Sequence, residues 1–368
     1  MDDPLLLLEG RPVCRLSLSR GRCVVREASF CLTHHLLVRS PALASVAISS
    51  DLTLDLTQSL ALISFGAVFL QRKGDLKARR LLQDEYLNLD DYLRVYPTPK
   101  RYSVDDIDWT SRVLSETSDY LIIDKPAMVP SNPTTDNAFQ NIVECFKTAL
   151  RLPTLYLPHR LDLETSGLMV LGKSKEFTAD VSLQFKERRV SKRYSALLAS
   201  NTARTAPYKS SDLLLHYLEP SSTSPKVFKL SPPGLECESS VAYVSPVVTK
   251  SASSWRELEM PNDNRRLRHA LISWLAASEP SAEVSFCNVQ LDLHTGRTHQ
   301  CRGQLSSGDW HIAGDSMYRG CTSLLEDDNK RGSEYLALQS SRLSFSYRGS
   351  QVTFDLNKRW WDPLFGIF

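Results

Sequence analysis

The nine residues His159-Arg160-Leu161-Asp162-Leu163-Glu164-Thr165-Ser166-Gly167 constrain this chain more than any other stretch. They set an acid beside a guanidinium and close on a Ser-Gly pair, and the next four residues, Leu168-Met169-Val170-Leu171, are all apolar. A short, unbroken apolar run after a glycine turn reads as a buried strand. Asp162 is thereby held on a short loop between the proline-led Leu157-Pro158 and the entrance to that strand.

A second dense segment, Leu293-His294-Thr295-Gly296-Arg297-Thr298-His299-Gln300-Cys301-Arg302, follows the strand-like Val289-Gln290-Leu291-Asp292-Leu293 and adds another tight turn with two more guanidiniums. A guanidinium keeps a neighbouring aspartate ionised at neutral pH. A carboxylate that attacks an electron-poor ring must be ionised and screened from bulk water. Arg302 is the candidate partner for Asp162.

From Trp109 onward the texture is that of an α+β domain with many short strands. Arg112-Val113-Leu114 and Tyr120-Leu121-Ile122-Ile123 flank the polar turn Glu116-Thr117-Ser118-Asp119. A helix is predicted from Asp136 to Leu150 and another from Ser174 through Phe185, ending in Lys186-Glu187-Arg188-Arg189. Basic residues in a last turn also suit a helix dipole, which gives that cluster a purely local reading. Lys192 to Leu198 reads as a strand. Residues 201–283, rich in Ser and Pro, read as surface insertions around two or three strands such as Ser239–Val244.

Upstream, Thr57 to Leu70 has helical periodicity that runs into Gly66-Ala67-Val68-Phe69, where a strand begins. The basic loop of Arg72, Lys73, Lys77, Arg79 and Arg80 follows. The organisation expected is an N-terminal extension over 1–50, a small domain over 51–105 and a catalytic domain over 106–368.

Length and composition exclude several classes. With 368 residues, 42% of them hydrophobic and 23% charged, the chain is an ordinary folded protein large enough for two domains. Its 44 Lys and Arg nearly balance 42 Asp and Glu, so a polyanion must be met by local basic patches. Eight scattered cysteines without a Cys-x-x-Cys pair point to reduced thiols inside a cell and away from structural zinc. No run approaches the roughly 18 apolar residues of a membrane span. The expectation is a soluble intracellular protein, in the cytoplasm or in a chloroplast or mitochondrion, without membrane or metal, and a monomer. The arginines among residues 1–50 suit an organelle transit peptide, whereas Asp2, Asp3, Glu9 and Glu27 count against one.

Several ordered motifs together resemble the RluA-type RNA pseudouridine synthases, over roughly residues 110–347. They are Lys125-Pro126, then His159-Arg160-Leu161-Asp162 with Thr165-Ser166-Gly167, then Lys192-Arg193-Tyr194, then Thr295 through Gln300 with Arg302, and finally Gly314-Asp315 and Tyr318. The resemblance implies the pseudouridine synthase fold: a mixed, mostly antiparallel central sheet with flanking helices and a catalytic cleft. It also implies cofactor-free isomerisation of uridine in structured RNA, rRNA or tRNA, on a base flipped out of its stack. Asp162 would be the nucleophile, at the glycosidic carbon or at carbon 6. Tyr194 would stack on the uracil and aid loss of the carbon 5 proton, and Arg302 would pair with Asp162. RNA would be held by Lys125, His159, Arg160, Thr165, Arg188, Arg189, Lys192, Arg193, Arg297, His299 and Gln300. The chain departs from the family pattern at Met128, Asn132, Cys301, Gly303 and Gln304. Residues 55–101 resemble the small S-four-like RNA-binding domain, with Gln71-Arg72-Lys73-Gly74 in place of its usual hairpin turn.

Three other chemistries fit these residues less well. A glycosidase pair of Asp162 and Glu164 is disfavoured, because two such acids must flank a sugar from opposite sides. His294 and His299 lack a third metal ligand at a recognisable spacing. A catalytically inactive RNA-binding relative of the same fold has no use for a buried acid that repels phosphate.

Overall fold

The computed structural model describes residues 33–201, 205–221, 224–256, 279–306, 309–315, 317–318 and 336–362, with the backbone of strands β1 (Ser17–Ser19) and β2 (Arg22–Val24). The transit-peptide reading falls largely outside these residues. The chain forms two compact units, one from residues 1–106 and 132–145, the other from 107–131 and 146–368.

In the first unit a sheet ordered β3-β8-β5-β6 is built from β3 (His34–Leu37), β5 (Val68–Gln71), β6 (Arg79–Leu81) and β8 (Tyr92–Val95), while β4 (Ala42–Leu43) pairs with β7 (Tyr86–Leu87). Helices α1 (Ala44–Leu52) and α2 (Leu56–Phe65) bury Ile48, Leu62 and Ile63 against Leu70, Leu81 and Leu93. A reciprocal cap starts α2, the Asp55 carboxylate accepting from the Gln58 amide and the Gln58 side chain accepting from the Asp55 amide. The helical pattern that runs on to Leu70 in sequence is cut at left-handed Gly66, φ 80°, and the remainder becomes β5. The basic loop is largely neutralised from within: Arg72 pairs with Asp91 and Glu85, Lys73 with Asp90, and Arg79 with Glu85.

Residues 132–145 also belong to this unit, although the segments on either side of them lie in the other. Arg80 donates to the Thr134 carbonyl at 2.6 Å, the Ala138 amide to the Phe65 carbonyl at 3.1 Å, and the Lys100 amide to the Asp136 carboxylate at 2.8 Å. The helix predicted from Asp136 begins later, as α3 (Ile142–Ala149), because the Asn137 side chain ties down the Phe139 and Gln140 amides in a turn.

The second unit is a twelve-stranded sheet with path β14-β13-β15-β17-β12-β19-β11-β10-β9. Its strands are β9 (Val113–Glu116), β10 (Tyr120–Lys125), β11 (Ser166–Gly172), β12 (Ser191–Ser200), β13 (Leu213–Leu218), β14 (Phe228–Lys229), β15 (Leu235–Val244), β16 (Val248–Ser251), β17 (Glu283–Leu293), β18 (His311–Ile312), β19 (Leu338–Tyr347) and β20 (Ser350–Asp355). Pairing is antiparallel except between β11 and β19, so the architecture is the expected α+β with a mostly antiparallel mixed sheet. Helix α4 (Lys175–Lys186), capped by Ser174, lays Phe177 and Val181 on Leu168 and Val170. Residues 201–283 supply β13 to β16 and the short α5 (Ala252–Arg256), which widen the sheet through β15 on β17.

Strand β11 is buried along its whole length. Gly167, φ 106°, lets it close on β19: a Cβ there would sit 2.3 Å from the Ser340 carbonyl oxygen. The Ser-Gly pair therefore locks the loop that carries Asp162 onto the middle of the sheet.

Candidate active site

The loop before β11 turns at Asp162, whose carbonyl accepts from the Thr165 amide at 3.2 Å. Its carboxylate is half-buried and makes no hydrogen bond or ion pair among the described residues. Lys125, Glu164, Tyr194, His299, Arg302 and Tyr318 all lie within electrostatic reach of it. An acid surrounded by polar groups yet bonded to none is free to meet a ligand.

Arg302 sits on α6 (Gln300–Leu305) and is 1% exposed. It donates two bonds to Asp315, at 2.8 and 2.7 Å, and one to Glu164. This corrects the expected pairing: the guanidinium binds Glu164 and Asp315 directly and acts on Asp162 only through space. Burial opposes its charge, but the Asp315 bonds and the surrounding acids hold its pKa above the ordinary value. Burial also raises the Glu164 carboxyl, with Asp315 and Asp162 pushing the same way against Arg302. Glu164, set aside in the sequence with the glycosidase reading, and Asp315, quoted there without a role, are the residues that reasoning missed. The available signal was Arg302 itself, since a guanidinium inside a fold requires acids.

Lys125 is also corrected. It is fully buried and donates to the carbonyls of Pro126, Leu163 and Thr165 at 3.0, 3.1 and 2.9 Å. Its ammonium is spent on bracing the Asp162 loop. Burial pulls its pKa down to about 7 against the pull of Asp162, Asp124 and Glu164. Met128 is left-handed at φ 64°, and its amide donates to the Leu163 carbonyl at 2.8 Å. A left-handed backbone of this kind is one that glycine adopts at least cost.

Tyr194 lies on β12, its hydroxyl bonded to Ser340 and its ring partly exposed. Burial, with Cys301 and Asp162 nearby, raises its pKa well above the tyrosine range, so it stays a phenol.

Of four other residues expected at the RNA surface, Thr165 and Gln300 are buried, and Arg193 and His159 are half-buried. Thr165 is buried beneath its own loop. Arg193 is spent on a two-pronged pair with Asp292, both bonds 2.7 Å. Gln300 is buried and accepts from the Thr295 hydroxyl and Arg297 amide while donating to the Glu238 carbonyl. His159 stacks on Phe185 at 4.3 Å and accepts the Val170 amide on Nε2 at 3.1 Å.

Arg160, Arg188 and Arg189 are exposed, Arg189 pairing with Glu187. Lys192 donates to the Thr295 carbonyl at 3.3 Å, and Arg297 to the Glu236 carbonyl at 3.2 Å. His299 meets the Tyr318 hydroxyl through Nδ1 at 3.0 Å.

Burial, reinforced by Lys192, pushes the pKa of His159 down to about 3. An unfolded histidine takes its proton near 6.5. Below that pH the unfolded chain gains a proton that the folded one refuses, so stability present above 6.5 drains away as the pH falls toward 3. Replacing His159 with Gln, which can still accept the Val170 amide, is expected to flatten the acid limb by up to about 1.4 kcal/mol per pH unit. Urea midpoints between pH 7 and 4 check this; an unchanged slope would discard it.

Among the described residues no group of three His, Cys, Asp or Glu side chains is placed to hold a metal ion, and no helix is long and apolar enough to cross a membrane.

The site thus gathers an acid without a bonded partner among the described residues, a buried arginine held by Glu164 and Asp315, and the phenol of Tyr194. The family model described as RNA pseudouridylate synthase matches residues 119–307, and the chain belongs to that family of isomerases. It is 26% identical to RNA pseudouridine synthase 6, chloroplastic, of Oryza sativa subsp. japonica, over 89% of this chain and 79% of that protein. With RNA pseudouridine synthase 6, chloroplastic, of Arabidopsis thaliana it shares 30% identity, over 64% of this chain and 46% of that one. The solved structure of human RNA pseudouridylate synthase domain containing 1 aligns at 20% identity and a TM-score of 0.47, covering 70% of this chain and 86% of the human one.

Proposed function

We propose that the chain isomerises specific uridines to pseudouridine in structured RNA, ribosomal or transfer, with Asp162 as the nucleophile. The observation that carries this is the Asp162 carboxylate, which has no partner of its own among the described residues while Arg302, Glu164 and Lys125 are all committed elsewhere. A flipped uridine would enter beside Tyr194, and Asp162 would attack the glycosidic carbon or carbon 6. The freed base would turn and bond the ribose through carbon 5, the bond to Asp162 would break to return the carboxylate, and the carbon 5 proton would pass to water. Arg160 and Arg188, exposed, would grip phosphates, a contact that positions without reading sequence. The two plant relatives named chloroplastic support an organelle as the place of action.

Tyr194 keeps its own proton, so it would pack on the base and donate a hydrogen bond rather than take the carbon 5 proton as a phenolate. Release of tritium from RNA labelled at uridine carbon 5 tests the whole reading: the chain should liberate tritium and leave pseudouridine in equal amounts. No release from total cellular RNA would end it. In the same assay Tyr194→Phe should lower kcat about tenfold, the worth of one hydrogen bond, with RNA Kd within about twofold. A shift confined to Kd would contradict the donor role.

A further inference from the structure

Residues Gly303 and Gln304, where the chain departs from its family, both answer to the strands that residues 201–283 add to the sheet. Gly303 on α6 lies against the Phe228 ring of β14 so closely that a Cβ would fall 2.0 Å from two ring carbons. Gln304 is fully buried, donating to the Leu214 and Cys237 carbonyls at 2.9 and 3.0 Å while its oxygen meets the Ser239 hydroxyl at 3.0 Å. Every one of these partners belongs to β13, β14 or β15. The helix bearing Arg302 is keyed to the added strands on two successive residues.

The contact does not stop at packing. Two residues before Phe228, the Lys226 amide donates to the Tyr318 hydroxyl at 2.8 Å, and that hydroxyl meets His299 Nδ1 at 3.0 Å. Phe228 also touches the Tyr318 ring edge-on, at 6.4 Å between centroids. A half-buried hydroxyl that receives the Lys226 amide still has its own proton to place, and His299 Nδ1 is the acceptor it meets. The ring proton of His299 is then left on Nε2, as a donor inside the group that surrounds Asp162.

We propose that the β13–β14 hairpin is a positioning element of the catalytic cleft: through the Lys226 amide and the Tyr318 hydroxyl it holds His299 as the Nε2–H tautomer beside Asp162. Phe228, seated on Gly303, keeps the hairpin in place. Held so, His299 keeps its ring proton on Nε2 within electrostatic reach of Asp162, while the carboxylate itself stays unbonded among the described residues. The inference rests on the proposed role of Asp162, yet its first test needs no substrate.

Nitrogen-15 spectra of the full chain, with His299 assigned by its loss in His299→Gln, should show a protonated Nε2 and a bare Nδ1 at neutral pH. In Tyr318→Phe, which keeps the ring and removes only the hydroxyl, the His299 signals should move to a mixture of tautomers. The same variant should lose about tenfold in kcat with RNA Kd within about twofold, an effect that mere loss of packing would not split in this way. Lys226→Pro removes the amide donor along with the side chain, and Lys226→Ala removes the side chain alone; the proline variant should shift the His299 tautomer in the same direction as Tyr318→Phe, and the alanine variant should not. A wild-type imidazole protonated on Nδ1, or a Tyr318→Phe protein with unchanged kcat and tautomer, overturns the proposal. If the wild-type chain releases no tritium from uridine, the enzymatic reading falls while the nitrogen spectra still decide the hairpin's role.

Discussion

Asp162→Asn is expected to abolish pseudouridine formation, lowering turnover by at least about three orders of magnitude, the scale on which a covalent nucleophile is missed. The change is isosteric, and the carboxylate it replaces has no hydrogen bond or ion pair among the described residues, so no structural contact is surrendered. Stability should therefore stay within about 0.5 kcal/mol of the parent chain. RNA affinity should hold or tighten slightly, because a negative charge facing a polyanion has gone. Tritium release and filter binding on the same preparations separate these effects. Residual activity above a tenth of the parent value would exclude Asp162 as the nucleophile.

Arg302→Met should have the largest effect on folding. The guanidinium is 1% exposed and joins Glu164 to Asp315, so its removal strands two buried acids that no other cation bonds among the described residues. Breaking a buried pair from one side costs about 3–5 kcal/mol, a large part of the stability of a typical domain. Denaturant midpoints should fall accordingly. Adding Glu164→Gln and Asp315→Asn to the variant should recover part of the loss, since neutral amides no longer demand a cation. A single variant as stable as its parent would mean that water or rearrangement satisfies the acids.

Most of the sheet was legible because its strands carry their own punctuation. The apolar run Leu168–Leu171 behind Gly167, the turn between β9 and β10, and the Ser174 cap before α4 are local signals, and the structure repeats them nearly residue for residue. The site was legible as a collection of motifs but not as a wiring diagram. Whether Arg302 bonds Asp162 or Glu164 depends on where the loop before β11 meets α6, a matter of tertiary approach that sequence spacing does not encode. In sequence, Lys125 and Arg193 resemble cations for RNA, because charge there marks a surface. Folding instead turns one toward three carbonyls and the other toward Asp292. The added strands were obscure for the opposite reason. Their register is set by β17, a strand far along the chain, and Gly303 looked like a departure until Phe228 was seen to occupy its missing side chain's place.

The excursion of residues 132–145 has a further consequence. The first unit is not a bead at the end of a string, since the polypeptide visits it, departs at 106 and returns before the motif loop begins. Deleting residues 1–106 would therefore leave Asp136 and Ala138 without the Lys100 and Phe65 groups that now satisfy them. A single cut in the polypeptide could therefore neither graft nor remove the first unit whole.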